Sequence, residues 1–145
     1  MTITVQQIQE AIEIAGLRFT RPRQVLVEQI VQRAQENRDF TSETLWHTVQ
    51  KSAPWIGRST VFRTIELFTE LGFLDRITFA DGTERYHVMM PGSHHHHLTC
   101  EDCHRVVEIA TCIPSDLLDH VAQETGFSLS DHRMELFGHC PQCQK

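Results

Sequence analysis

Cysteine and histidine carry the chemistry of this sequence. Cys100-x-x-Cys103 and Cys140-x-x-Cys143 are separated by 36 residues. A Cys-x-x-Cys turn presents two thiolates on one side of a knuckle. Two knuckles supply four sulfurs, the set that tetrahedral Zn²⁺ takes at about 2.3 Å per bond. Paired spacing separates this pattern from redox disulfides and from unrelated buried thiols. Four thiolates leave no open coordination position, so the site is expected to be structural. Cys112 stands apart among Ala110, Thr111 and Ile113 and reads as a small packing residue, with a ligand of a further metal site or a redox thiol as the alternatives.

Immediately before the first pair lie four consecutive histidines, His94 to His97. In an extended segment alternate side chains face opposite ways. His95 and His97 then share one face, and His94 and His96 share the other, so one tract can feed two sites. Partners for the first pair are His87 and Glu108. Partners for the second are His132 and Asp116. These nitrogen and oxygen donors suit Fe²⁺, Mn²⁺, Zn²⁺ or Ni²⁺ at a site less tightly closed than four thiolates.

The elements that must position these groups follow from periodicity and breakers. Residues 3–15 read as a helix ended by Gly16. Thr20 caps a second helix that has Pro22 in its first turn. A third helix runs from about Ser42 to Lys51, and a fourth from about Arg58 to Leu71 with Val61, Ile65 and Phe68 at helical spacing. Phe73–Phe79 and Glu84–Val88 form two strands around the Asp81-Gly82 turn. Helices followed by a small hairpin describe a winged helix-turn-helix. Met89 to Ser93 read as a hinge around Pro91 and Gly92. Beyond it come short strands at Leu98–Thr99 and Arg105–Ile109, a helix from Pro114 to about Gln123, and a last strand region, Phe127–Ser130 with Met134–Phe137. The fold class is α+β. Residues 1–89 form the winged-helix domain, 90–93 the hinge, and 94–145 a small α/β domain carrying the four-cysteine zinc site.

The charge distribution restricts where a nucleic acid could bind. The net charge is −6. Residues 1–85 carry 10 Lys/Arg against 11 Asp/Glu, whereas residues 86–145 carry 3 against 8. Only the first part can build a DNA-binding face. The fourth helix offers Arg58, Ser59, Thr60 and Arg63 near its N-terminal end, where a recognition helix meets base edges and phosphates. Arg18, Arg21 and Arg23 are further phosphate candidates. No run of residues approaches the roughly 18 apolar positions of a membrane span. The N-terminus lacks a basic region leading into an apolar core, which favours the cytoplasm, where thiols remain reduced.

Taken together these motifs resemble the ferric uptake regulator family of metal-responsive repressors. Phe19-Thr20-Arg21-Pro22-Arg23 is similar to the family's Leu-Thr-Pro-Gln-Arg entry to the second helix. Ser59-Thr60-Val61-Phe62-Arg63 is similar to its Ala-Thr-Val-Tyr-Arg recognition motif, with Phe62 keeping a ring able to pack on a thymine methyl. The histidine tract with Leu-x-Cys-x-x-Cys resembles its His-rich strand, although His104 stands where Gly is usual. Ser130 to Glu135 and Gly138-His139-Cys140 resemble its closing strand.

The resemblance implies a homodimer, a C-terminal dimerisation domain, a palindromic double-stranded DNA operator, and repression when metal is bound. It implies a sensing site of His87, His95, His97 and Glu108, with Asp39 from the loop before the third helix. It implies a second site of His94, His96 and His132, with Asp116 in the acidic position. Zinc-sensing relatives often bring a cysteine to the sensing site. None is evident here, which leans towards Fe²⁺ and leaves peroxide, Zn²⁺, Mn²⁺ and Ni²⁺ sensing as alternatives. A metal-dependent hydrolase is a different class, and it lacks support from any His-Glu-x-x-His motif. A zinc-stabilised interaction module is a third.

Overall fold

A computed structural model of the chain describes residues 3–92 and 94–144. Ser93, part of the expected hinge, lies outside the described residues. The order of elements is α1 (Val5–Ile14), α2 (Arg21–Gln35), α3 (Ser42–Ser52), α4 (Arg58–Glu70), β1 (Leu74–Thr78), β2 (Glu84–Val88), β3 (His96–Cys100), β4 (Val106–Ile109), α5 (Ser115–Thr125) and β5 (Glu135–Gly138). The chain divides into two compact units, Met1–Ser93 and His94–Lys145.

In the first unit α1, α2 and α3 start where side chains can satisfy their free amides, while α4 starts after Gly57 without a side-chain cap. Thr4 and Thr41 form capping boxes with Gln7 and Thr44, and the Thr20 hydroxyl accepts from the Arg23 amide. Gly72, with φ of 84°, lets the chain leave α4 in the left-handed region and turn straight into β1. The apolar faces of α1 to α4 close around Ile8, Ile12, Leu26, Ile30, Leu45, Ile65 and Phe68, all essentially inaccessible to water. Ile14 belongs to none of this; it is 87% exposed at the end of α1.

The hairpin β1–β2 is antiparallel, with Asp75 opposite His87. Arg76 fastens it to α4 through Glu66, at 2.6 Å. Phe40 fastens it to the loop before α3. An antiparallel bridge exchanges both backbone hydrogen bonds between Phe40 and Tyr86, and their rings stack at 5.9 Å. The same register sets Asp39 across from His87.

The second unit is a three-stranded sheet of order β4-β3-β5, antiparallel between β3 and β4 and parallel between β3 and β5. The last strand region is shorter than its sequence suggests. Only Glu135–Gly138 pairs with β3, and Phe127–Ser130 has no regular structure. Alternation of apolar and polar residues at 127–130 satisfies a strand pattern locally, but no neighbouring strand accepts its backbone. No helix among the described residues is long and apolar enough to cross a membrane.

Candidate metal centres

The sheet register assembles the sulfur cage. Parallel pairing sets Cys100, at the end of β3, beside Gly138, at the end of β5. Both Cys-x-x-Cys turns therefore leave the same end of the sheet. Each closes on itself, with the amide of His104 on the carbonyl of Cys100 at 3.0 Å and that of Cys143 on Cys140 at 2.9 Å. The four sulfurs lie within 4.8 Å of one another, and Cys103 and Cys140 are 3.8 Å apart. All are free thiols.

Backbone amides of the knuckles, led by that of Cys103, bring the Cys100 thiol down to about 6. Cys143, hydrogen-bonded to Cys140 and facing the other sulfurs, is pushed up to about 12. The cage thus draws some of its thiols towards the thiolate and pushes Cys143 away from it, and four thiolates this close need a cation to offset their mutual repulsion, which fits Zn²⁺. His104 follows Cys103 with φ of 60°, the left-handed turn that swings the chain from the knuckle into β4.

The histidine tract divides as a strand must. On one face, His97 is buried and lies opposite Glu108 in the β3–β4 register, and His95 Nδ1 is 3.8 Å from Glu108 Oε2. These are nitrogen and oxygen donors.

On the other face, the His94 and His96 rings meet edge to face at 4.7 Å, and His132 packs against both at 4.6 and 5.1 Å. Cys112 stands at the centre of this group. Its sulfur is 3.3 Å from Nε2 of His94, 3.3 Å from Nε2 of His96 and 3.1 Å from Nε2 of His132. The expected packing role for Cys112 is therefore corrected, since it is exposed and belongs to a four-donor cluster. Asp116, expected as the fourth donor, is not in that group. It is an exposed residue of the first turn of α5, where a carboxylate complements the helix N-terminus. Spacing alone could not rank Cys112 above Asp116, because the segment between β4 and α5 has no periodicity. The one available signal was a thiol left over from the two pairs. Burial, with the His94 and His132 rings beside it, lowers the His96 pKa, which favours the neutral ring that a metal ligand requires.

In the first unit His87 is buried on β2. Asp39 is buried as well, and its Oδ2 accepts from Arg85 Nε at 2.9 Å. Arg85 and His87 share a face of β2, two residues apart. Sequence reasoning did not find Arg85 as the partner of Asp39, because the two are 46 positions apart.

The α4 face has a comparable constraint. Arg58 is paired with Glu43 of α3, and its guanidinium lies 4.3 Å over the Phe62 ring and 5.8 Å from Trp46. Ser59 and Arg63 are exposed; Thr60 is partly buried, with its carbonyl accepting from Thr64. Arg21 lies over Trp55 at 5.1 Å, and Arg23 donates to the carbonyl of Arg18.

Four helices and a hairpin in one unit, with two side-chain clusters fitted to cations in the other, define a two-unit protein with metal-ligating chemistry and a candidate DNA-reading helix. The model of the ferric uptake regulator family matches residues 14–137, and the chain belongs to that family. It is 30% identical over 141 residues to the ferric uptake regulation protein of Bacillus subtilis (strain 168), covering 96% of this chain and 93% of that protein. It is 26% identical over 146 residues to the peroxide operon regulator of the same organism, covering 99% and 97%. Among solved structures it is similar to a zinc-bound manganese uptake regulator, with a TM-score of 0.64, 32% identity, and coverage of 92% and 98%.

Proposed function

We propose that this chain is a cytoplasmic, metal-dependent repressor that binds a palindromic operator as a homodimer, with Fe²⁺ as the sensed ion. The observation that carries the reading is the division of the histidine tract. His95 and His97 gather with Glu108 as nitrogen and oxygen donors, the set that hard and borderline divalent cations take. In the proposed sensor these three join His87 of the first unit. Asp39 would join them through a carboxylate that Arg85 already engages at Oδ2. A cation that takes donors from both units selects one arrangement of them, and so couples metal binding to DNA binding in both directions. The family consists of transcriptional regulators, and no catalytic activity is assigned to this chain.

Dimerisation is supported by apolar surface on the second unit. Leu98 is paired in register with Val107 on one side and Leu136 on the other, and all three are exposed. Helix α5 has no buried residue, and its Leu117 and Val121 are exposed too. A second copy covering such a face follows the isologous geometry of a two-fold dimer. In the first unit, Arg21, Arg23, Arg58, Ser59, Thr60, Phe62 and Arg63 are the proposed DNA contacts.

Relatives named for ferric uptake support iron as the sensed ion. The peroxide operon regulator among the relatives keeps peroxide sensing as the second reading. The test begins with protein stripped of all but its tightly held zinc. Fe²⁺ (without oxygen), Mn²⁺, Zn²⁺ and Ni²⁺ are each added back, and binding to operator selected from random DNA is followed. Metal-dependent binding lost in His97→Ala and Glu108→Ala is expected. Equal binding without metal, or undiminished metal dependence in both variants, overturns the reading. Loss of binding after peroxide treatment of the iron form favours the second.

A further inference from the structure

Cys112 changes the chemistry of one face of the histidine tract. The donors on that face come from three separate segments: His94 and His96 at β3, Cys112 before α5, and His132 before β5. His96 is 2% exposed, and its Nε2 lies 3.3 Å from both the Cys112 sulfur and the His132 Nε2. Separations of 3.1 to 3.3 Å among these atoms are close to the roughly 3.3–3.6 Å edges of a tetrahedron built from Zn–N and Zn–S bonds. A histidine cluster with a carboxylate as fourth donor accepts iron, manganese and zinc alike. A thiolate in that position adds a soft ligand, which weights the site towards Zn²⁺ and its tetrahedral analogue Co²⁺ and away from Mn²⁺.

We propose that His94, His96, His132 and Cys112 form a thiolate-containing site for a zinc-class cation, back to back with the nitrogen–oxygen donors His95, His97 and Glu108. One strand then sorts two kinds of metal. Rings at odd positions face a carboxylate, and rings at even positions face a thiol. The site lies within the second unit and stands or falls independently of the sensor proposed above.

Co²⁺ alone is the probe, added to full-length protein whose sulfur cage retains its zinc. The wild-type protein should develop a near-ultraviolet thiolate-to-cobalt charge-transfer band together with intense visible bands of tetrahedral Co²⁺. Cys112→Ser should abolish the charge-transfer band, and His132→Ala should weaken or abolish it. His97→Ala, on the opposite face, should leave it intact. In competition, Cys112→Ser should lower zinc retention at this site by about tenfold or more, and Cys112→Asp should narrow the preference for Zn²⁺ over Mn²⁺. Cys112 is exposed, so these changes should not disturb folding, and retained zinc in the cage checks that they have not. No band in the wild-type protein, or a band that survives Cys112→Ser, overturns the proposal. A band lost in His97→Ala but kept in Cys112→Ser overturns it as well. A sensor that fails its DNA-binding test leaves the band unchanged, which separates the two ideas.

Discussion

Removing the charge of Glu43 should tighten DNA binding, because Glu43 and DNA phosphate compete for Arg58. The Arg58–Glu43 pair joins the start of α4 to α3, with side-chain exposures of 53% and 49%. An ion pair this exposed is worth about 0.2–1 kcal/mol, so releasing it should cost little stability. The same energy no longer has to be given up when Arg58 turns to phosphate. Glu43→Gln should therefore lower Kd by roughly 1.5- to 5-fold per protomer, since about 1.4 kcal/mol is tenfold. Arg58→Ala should weaken binding and reduce the slope of log K against log salt by about 0.9 for each protomer that loses a phosphate contact. The assay is fluorescence anisotropy of labelled operator across a salt series, with metal held constant. A general loss of negative charge near DNA would also tighten binding, so the decisive variant is the double one. Glu43→Gln should have no effect in the Arg58→Ala background. An equal gain in both backgrounds would falsify direct competition and leave only long-range repulsion.

Arg85→Met removes the cation facing buried Asp39 and should destabilise the first unit by about 3 kcal/mol. Trp46 and Trp55 are the only tryptophans of the chain and both lie in that unit, so their fluorescence in urea reads it selectively; a change below about 0.5 kcal/mol would refute the role of the pair. His104→Gly should be neutral or raise stability by up to about 1 kcal/mol, because a left-handed residue with a β-carbon costs about 1–2 kcal/mol and the freer unfolded glycine returns part of it. His104→Val should instead promote zinc loss to a chelator, and equal zinc retention in the two variants would show that the turn is unstrained. The Asp102 carboxylate, 2.7 Å from His139, raises the His139 pKa. A folded value above the unfolded one means that this contact stabilises fully below the ordinary histidine range of about 6.5 and is lost as pH rises through the raised value. Imidazole NMR titration of the zinc-loaded protein should show Asp102→Asn moving that midpoint downward, and an unmoved midpoint would exclude the contact.

Local pattern made much of this protein legible. Apolar spacing placed α2, α3 and α4 to within a residue or two, with Thr20 marking the start of α2, because both signals act within one helical turn. The paired Cys-x-x-Cys spacing picked out the sulfur cage, since a knuckle is itself a local structure. Alternation separated His95 and His97 from His94 and His96, because a strand's period of two allows nothing else. Phe127–Ser130 marks the limit of such reasoning. Its alternation has the period of a strand, but a strand also needs a partner, and pairing is not a local property.

Every correction concerns groups that meet through space. Cys112 rather than Asp116 completes the cluster, because the path of the chain between β4 and α5 brings the sulfur to three rings set by β3 and the residues before β5. Arg85 claims Asp39 because the Phe40–Tyr86 bridge lays the loop before α3 against β2. Glu43 claims Arg58 because α3 and α4 pack side by side. Sequence by itself determined which residues could ligate and which local elements carry them, since bond chemistry and backbone periodicity are short-range. Only the tertiary structure decided which fourth donor the histidines face and which arginines are already engaged, because those distances are fixed by sheet register and helix packing.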